Sequence, residues 1–355
     1  MSAPSPNDGS AAARLGHVPA LNGVRGIAIA AVCGVHFFGL PGGALGVDLF
    51  FVLSGFLITT LLLEEHSRAD AIALGRFYLR RARRLLPAVG VLLTLMLAIG
   101  ASAGRAHFLT ELKLVGWGGL YDANFVRAFV RPDPLTDRPL DHFWSLASEE
   151  QFYLLWPPLL VLALRRHVSE RRLLVAVTAF GCALVAYRLG LTVAGASASR
   201  LYFGPDTHAE GLVIGCALAF AWRQGLRLAP AVGWLGLAAF ILLCCFGASG
   251  LWSVPDLLSA EVAAGVLVIS VASGEGLLAR SLAWRPLVWL GLISYSLYLW
   301  QQPVRHAIQG SQPLVELPIS LLLAFVSYRY VEKHFRRTAP RSTPAPATAA
   351  VGEVG

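Results

Sequence analysis

Charge is scarce in this chain: only 14% of its 355 residues are Asp, Glu, Lys or Arg, against 56% hydrophobic, and mean hydropathy is +0.62. So little charge excludes an ordinary soluble domain and indicates an all-α, polytopic membrane protein. Lysine is almost missing, with Lys113 and Lys333 the only two. The five cysteines (Cys33, Cys182, Cys216, Cys244 and Cys245) all fall in apolar segments. They lack metal-ligand spacing and the loop positions of a disulfide framework, so they read as small apolar fillers, and no metal site is expected. No glycine-rich phosphate loop is present, so nothing points to ATP or NAD. Residues 1–19 contain no apolar core, so no cleavable signal peptide is expected and the first apolar stretch itself directs insertion. The net charge of +8 resides largely in short basic loops beside apolar stretches, the mark of membrane orientation and not of nucleic-acid binding.

What is abundant is apolar sequence of bilayer length. Ten stretches qualify: 21–40, 44–64, 85–104, 145–164, 173–194, 207–222, 230–248, 257–273, 287–305 and 314–331. An eleventh, 108–130, is interrupted by Glu111, Lys113, Asp122 and Arg127. Leaving it out puts both termini on the cytoplasmic side with the arginine-rich segments 65–84, 165–172, 223–227, 280–285 and 329–341. The short outer loops then hold only Arg200, and 105–143 becomes a long outer loop whose five basic residues are the exception. Three regions result: a disordered cytoplasmic segment 1–19, a transmembrane domain 20–338, and a disordered tail 339–355 rich in Pro, Ala and Thr.

Within the first span stand Arg25 and His36. Ionisable groups at membrane depth are costly, and two in one span mark a functional site. Eleven residues return an α-helix to within about 20° of its starting azimuth and about 16 Å further along its axis, so both lie on one face. Asp48 opens the second span after Pro41, Gly42 and Gly43. It either orients the His36 imidazole or sits as a helix N-terminal carboxylate. Ser54, beside Gly55, reads as a small packing residue. Arg80, Arg81, Arg83 and Arg84 lie at the cytoplasmic mouth of the third span. They suit either the phosphates of a nucleotide-bearing donor or topology and anionic lipid. In 142–157, Ser145, Glu149 and Tyr153 recur every four residues on one face, with Glu150 offset by about 100°. Either carboxylate suits acceptor binding or stabilisation of a protonated His36, and the alternative is helix-start capping. Asp206, Thr207, His208 and Glu210 open another span, with Thr207 and Glu210 at capping-box spacing.

Six blocks together resemble the acyltransferase family 3 membrane proteins, which O-acylate sugars and glycosides. They are LNGVRGIAIAAVCGVHFFGLPGGALGVDLFFVLSGFLIT (21–59), FYLRRARRLLP (77–87), HFWSLASEEQFYLLWP (142–157), DTHAEGLVIGCALA (206–219), GLISYSLYLW (291–300) and YRYVEKHFRR (328–337). The resemblance implies acyl transfer, acetyl above all, from acyl-CoA to a hydroxyl of a cell-surface or exported carbohydrate. His36 is then the general base, and the positions of Asp48 and Glu150 read above place them with it at the catalytic centre. Arg25 stands beside the donor, with Arg80, Arg81, Arg83 and Arg84 at its phosphates. His142, Ser145, Glu149, Tyr153, Asp206 and His208 serve the acceptor or support the site. It implies no permanently bound cofactor, and a place in a bacterial cytoplasmic membrane, in keeping with the Ala-, Leu- and Arg-rich composition. The residues support the same assignment, since a hydroxyl becomes a useful nucleophile only when a base takes its proton, and histidine titrates nearest working pH. One departure stands out: many relatives carry histidine after Tyr298-Leu299-Trp300, where this chain has Gln301, which cannot exchange a proton near neutrality. That leaves more of the acid–base burden on His36 and His142. The rival readings are acylation of a small glycosylated molecule such as an antibiotic, and a transporter or flippase lined by Arg25, His36, Asp48 and Glu150. The absence of internal repeats disfavours the transporter.

Overall fold

The computed structural model describes residues 15–247, 253–308 and 312–337. Among these the chain forms helices and no strand: α1 (Pro19–Phe38), α2 (Gly46–Ala69), α3 (Leu74–Ser102), α4 (Arg105–Gly119), α5 (Ala123–Phe129), α6 (Phe143–Arg165), α7 (Glu170–Val193), α8 (Ala198–Phe203), α9 (Glu210–Arg223), α10 (Pro230–Phe246), α11 (Val254–Ala272), α12 (Gly276–Leu282), α13 (Arg285–Ala307), α14 (Pro313–Val326) and α15 (Lys333–Arg337). A 3-10 turn, Gly43–Leu45, precedes α2, and a π-helical segment, Ser327–Glu332, joins α14 to α15.

Local chemistry sets the helix ends. Proline opens α1, α10, α11, α13 and α14, where its missing N–H costs nothing because first-turn amides have no intrahelical acceptor. Ser169, Ser197 and Ser253 cap α7, α8 and α11, each hydroxyl accepting a backbone N–H three residues on. Gly39 ends α1 at φ 66°, a left-handed conformation that glycine adopts without strain.

Among the described residues, six helical stretches are long and apolar enough to cross a membrane: Pro19–Phe38, Gly43–Ala69, Leu74–Ser102, Glu170–Val193, Val254–Ala272 and Pro313–Arg336. The other four expected spans coincide with α6, α9, α10 and α13, which are shorter or more polar; α9 has 14 residues, about 21 Å. The stretch 105–143 corrects the sequence reading, because it folds largely as α4 and α5 instead of a loop. Its apolar residues have a partner in α3, where Gly100 receives the Glu111 side chain. The chain breaks at 120–122, where Tyr121 takes φ 55°, so 108–130 is not one continuous helix. At the other boundary, Leu15 is already buried and donates its N–H to Glu64, so packed structure begins before residue 19. Residues 1–14 and the tail 339–355 lie outside the described residues.

Two glycine-lined helix pairs form the centre. The parallel helices α1 and α13 meet so closely that a Cβ on Gly26 would lie 2.4 Å from the Leu287 carbonyl oxygen, and one on Gly291 1.8 Å from that of Asn22. In the α2–α9 pair, a Cβ on Gly55 would lie 2.0 Å from the Leu212 carbonyl oxygen and one on Gly215 2.2 Å from that of Val52. Without an apolar driving force in lipid, such small residues let helices gain packing and polar contacts at short range.

Gly291→Ala is therefore expected to lower the thermal unfolding midpoint of the solubilised protein, at the overpacking cost of about 1–3 kcal/mol. Gly190→Ala, where the added Cβ meets open space, should leave the midpoint unchanged or raise it. Equal behaviour of the two variants in a fluorescence melt would refute the close-packing account.

Candidate active site

Arg25 and His36 project from α1 onto the same neighbour. The Arg25 guanidinium donates to Ser294 Oγ at 3.0 Å and the Gly291 carbonyl at 3.3 Å, while His36 Nδ1 lies 2.8 Å from Gln301 Oε1. Ser294, Tyr298 and Gln301 fall at helical spacing on α13, so one face of that helix holds both α1 residues in place. Because an amide oxygen accepts, Nδ1 carries the ring hydrogen and Nε2 is the basic nitrogen. Gln301 thus occupies the departure noted in the sequence as an orienting group for His36. A polar register at 294, 298 and 301 in an apolar helix was the signal for this face, and it was not read from the sequence.

Two cavities lie along α1. The first, about 380 Å³, is bounded by Arg25, Phe50, Ser145, Glu149, Ser294 and Tyr298. The second, about 640 Å³, is bounded by His36, Arg127, Asp141, His142, Trp144 and Tyr298. Val47 and Tyr298 line both and stand as the partition between them. The Tyr298 hydroxyl donates to the His142 carbonyl at 3.0 Å and lies 2.5 Å from Ser145 Oγ, which fixes the ring across the gap.

The two adjacent carboxylates of α6 part company. Glu149 faces the Arg25 cavity and accepts the Ser54 hydroxyl at 2.5 Å, so Ser54 contributes a hydrogen bond and is more than packing. Glu150, placed at the catalytic centre by sequence, points instead at α3 and is paired with Arg81 at 2.6 Å. The 100° offset between neighbours sends them to different helices. Tyr153 is buried beneath the Arg81 guanidinium, 3.1 Å from ring centroid to Cζ.

Asp48 does not orient His36. Its carboxylate accepts from His208 Nε2 at 2.8 Å, whose Nδ1 donates to the Tyr202 carbonyl at 2.7 Å, and the His208 ring stacks on Trp144. Asp48 and His208 thus back the wall of the His36 cavity without lining it. Asp206 pairs with Arg200 at 2.6 Å, away from both cavities. Neither capping reading holds. Thr207 Oγ1 donates to the carbonyls of Arg200 and Gly204, and Glu210 is ion-paired with buried Arg188. α6 begins at Phe143 with no side-chain cap.

The arginine cluster of α3 also divides. Arg80 is exposed and paired with Glu65 at 3.4 Å, whereas Arg81 and Arg84, three residues apart, turn inward. Arg83 is half-buried between them in sequence. Arg84 Nε is buried without a hydrogen-bond partner among the described residues, and Arg84 lies within electrostatic reach of Arg25 and Arg336. Glu332, in the π-helical segment, accepts from Ser296 and faces the same basic group.

On the other side, His142 is buried against Tyr298 and neither ring nitrogen has a hydrogen-bond partner among the described residues. Asp141 Oδ1 lies 3.8 Å from its Nδ1. These two residues precede α6. Burial holds the His142 imidazole neutral, below its ordinary range, with His36 adding to the effect. Burial pushes the Asp141 carboxyl up to about 6, against the opposing pull of Arg127.

A carboxyl raised in the folded state binds a proton that the unfolded chain has already lost. Its contribution therefore favours folding below the ordinary carboxylate range and is lost as pH rises through about 6. Asp141→Asn is expected to melt higher than wild type at pH 7.5, with the difference closing as pH falls toward 4. A constant difference across that range would contradict the burial.

The model of a family described as an acyltransferase domain matches residues 18–328. The peptidoglycan O-acetyltransferase OatA of Listeria monocytogenes is 30% identical over 354 residues, covering 90% of this chain and 56% of that protein. The O-acetyltransferase OatA of Staphylococcus aureus is 31% identical over 352 residues, covering 90% and 57%. The chain thus spans a little over half the length of these relatives. No solved structure matches. With a family match over most of its length and several helices fit to cross a bilayer, this chain is a multi-pass membrane protein belonging to the acyltransferase domain family.

Proposed function

We propose that the protein transfers an acetyl group from acyl-CoA to a hydroxyl of a cell-wall carbohydrate. The observation that carries this reading is the pair of cavities on either side of Val47 and Tyr298, one ending on Arg25 and Glu149, the other on His36 and His142. Acyl transfer needs two substrates to meet at one point, and the partition is where they meet. The relatives' names, O-acetyltransferase and peptidoglycan O-acetyltransferase, favour acetyl as the group and a cell-wall glycan as the acceptor.

The donor enters from the basic side. Arg84 and Arg25 supply guanidinium groups for the phosphates of a nucleotide thioester, a pairing in which arginine offers two parallel N–H donors. The acceptor enters the larger cavity. His36 Nε2 takes the hydroxyl proton as the acceptor oxygen bonds to the acyl carbon, the carbon–sulfur bond breaks, and the thiolate leaves and is reprotonated. Gln301 holds the tautomer that keeps Nε2 basic.

The membrane topology that fits this path has ten crossings with both termini cytoplasmic. Helix directions support it: α1 and α13 run parallel through the Arg25–Ser294 and His36–Gln301 contacts, and α3 and α6 run antiparallel through Arg81–Glu150 and Tyr78–Leu154. Arg25 then lies toward the cytoplasm and His36 toward the outer face. Val47 and Tyr298 interrupt the polar path between the cavities, which favours group transfer over permeation.

Release of CoA from acetyl-CoA by the purified protein, with a cell-wall glycan fragment as acceptor, tests the reading. His36→Ala should lower acceptor-dependent turnover by roughly 100- to 10,000-fold, the span of general-base catalysis. Gln301→Ala should lower kcat without moving either KM, and Arg25→Ala should raise KM for acetyl-CoA. Turnover that survives His36→Ala, or protein that neither binds nor consumes acetyl-CoA, would overturn it.

A further inference from the structure

α6 and α7 are held by different neighbours, α6 by α2 and α5 and α7 by α9, and an open groove of about 1690 Å³ runs between them. Its walls are almost wholly apolar, with Phe152, Trp156, Leu159, Val177 and Phe180 along its length. Along α6 it extends from Ser148 to Ala163, sixteen residues and about 22 Å. One leaflet of hydrocarbon is about 15 Å deep, half of a core of about 30 Å. The groove is therefore longer than one leaflet is deep, and a chain filling it outreaches an ordinary phospholipid tail.

The outer end is polar and basic. Ser148, Gln151 and Asp206 line it, and Phe125, also in the lining, stacks on Phe129. The Arg200 guanidinium sits 4.8 Å from the Phe129 centroid and is paired with Asp206. Exposed Arg131 reaches Ser197, beside the same helix start, and is not balanced by an acid. Arg127, nearby, is already paired with Asp133. The rim formed by Arg131, Arg200 and Asp206 thus carries one net positive charge, complementary to an anionic headgroup. Arg127 also packs on Phe203, which lines the His36 cavity, so the rim and that cavity share the wall made by α5 and α8.

We infer that the groove binds the long prenyl chain of a phosphate-bearing isoprenoid lipid, with its headgroup at Arg131 and Arg200. Resting on the acyl-transfer reading, the consequence is that the acceptor sugar is delivered to the His36 cavity still attached to its lipid carrier.

Native mass spectrometry of the full-length protein in detergent tests this with three probes: a long-chain polyprenyl phosphate, farnesyl phosphate and phosphatidylglycerol. The long-chain probe should be retained at roughly tenfold lower concentration than either of the others, a difference of about 1.4 kcal/mol. Ala163→Phe and Ala176→Phe, which fill the groove from half-buried and exposed positions, should abolish that preference, and Arg131→Ala should weaken it. Leu235→Phe on α10, exposed and outside the groove, serves as the control and should not change it. Because the chain-length comparison is made on wild type, the test stands even if a variant misfolds. Equal retention of phosphatidylglycerol, indifference to the groove variants, or a second copy of the chain occupying the face would each overturn the inference. The groove variants should still acetylate a water-soluble glycan fragment. If they do while lipid selectivity is absent, the groove inference alone falls; if no acetyl transfer occurs but selectivity holds, the acyl-transfer reading falls.

Discussion

The close approach of α1 to α13 is the constraint on which the rest of the site depends. Gly26 and Gly291 remove the side chains that would hold the helices apart, and the backbones then meet at carbonyl contact. Only at that spacing does Arg25 reach Ser294 and the Gly291 carbonyl, and His36 reach Gln301. In lipid this arrangement has little hydrophobic driving force, so packing and interhelical hydrogen bonds stabilise it together. The polar residues are therefore part of what assembles the helices as well as part of the site they create.

Charge management elsewhere follows the same economy. Arg188 pairs with Glu210, Arg81 with Glu150 and Arg223 with Glu170, each across two helices, and Asp48 of α2 pairs with His208 in the turn before α9. Breaking a buried pair leaves an uncompensated charge, so these contacts specify which helices are neighbours even where their net contribution to stability is small. Among the described residues, buried side-chain atoms without a hydrogen-bond partner include both ring nitrogens of His142, which lines the His36 cavity, and Arg84 Nε.

The larger features were legible in the sequence because they rest on local periodicity. Apolar stretches became helices, and the eleven-residue spacing of Arg25 and His36 placed both on one face, because helical pitch is fixed by backbone hydrogen bonding. The limits appear at particular residues. Asp48 and His36 are close along the chain, yet Asp48 turns to His208, 160 residues away. Glu149 and Glu150 are indistinguishable as sequence, and their separation into cavity and ion pair depends on which helices flank α6. The loop expected at 105–143 folds as helices because α3 offers those apolar residues a surface.

The sequence by itself determined the solvent, the class of fold and the face of α1 that carries the ionisable pair. Low charge, apolar length and helical pitch are properties of a segment and need no partner. The tertiary structure alone decided which polar groups meet: Gln301 with His36, Glu150 with Arg81, His208 with Asp48, and Tyr298 between two cavities. A side chain's partner is set by the packing of helices distant in sequence, and glycine, which carries no chemistry of its own, controls that packing here.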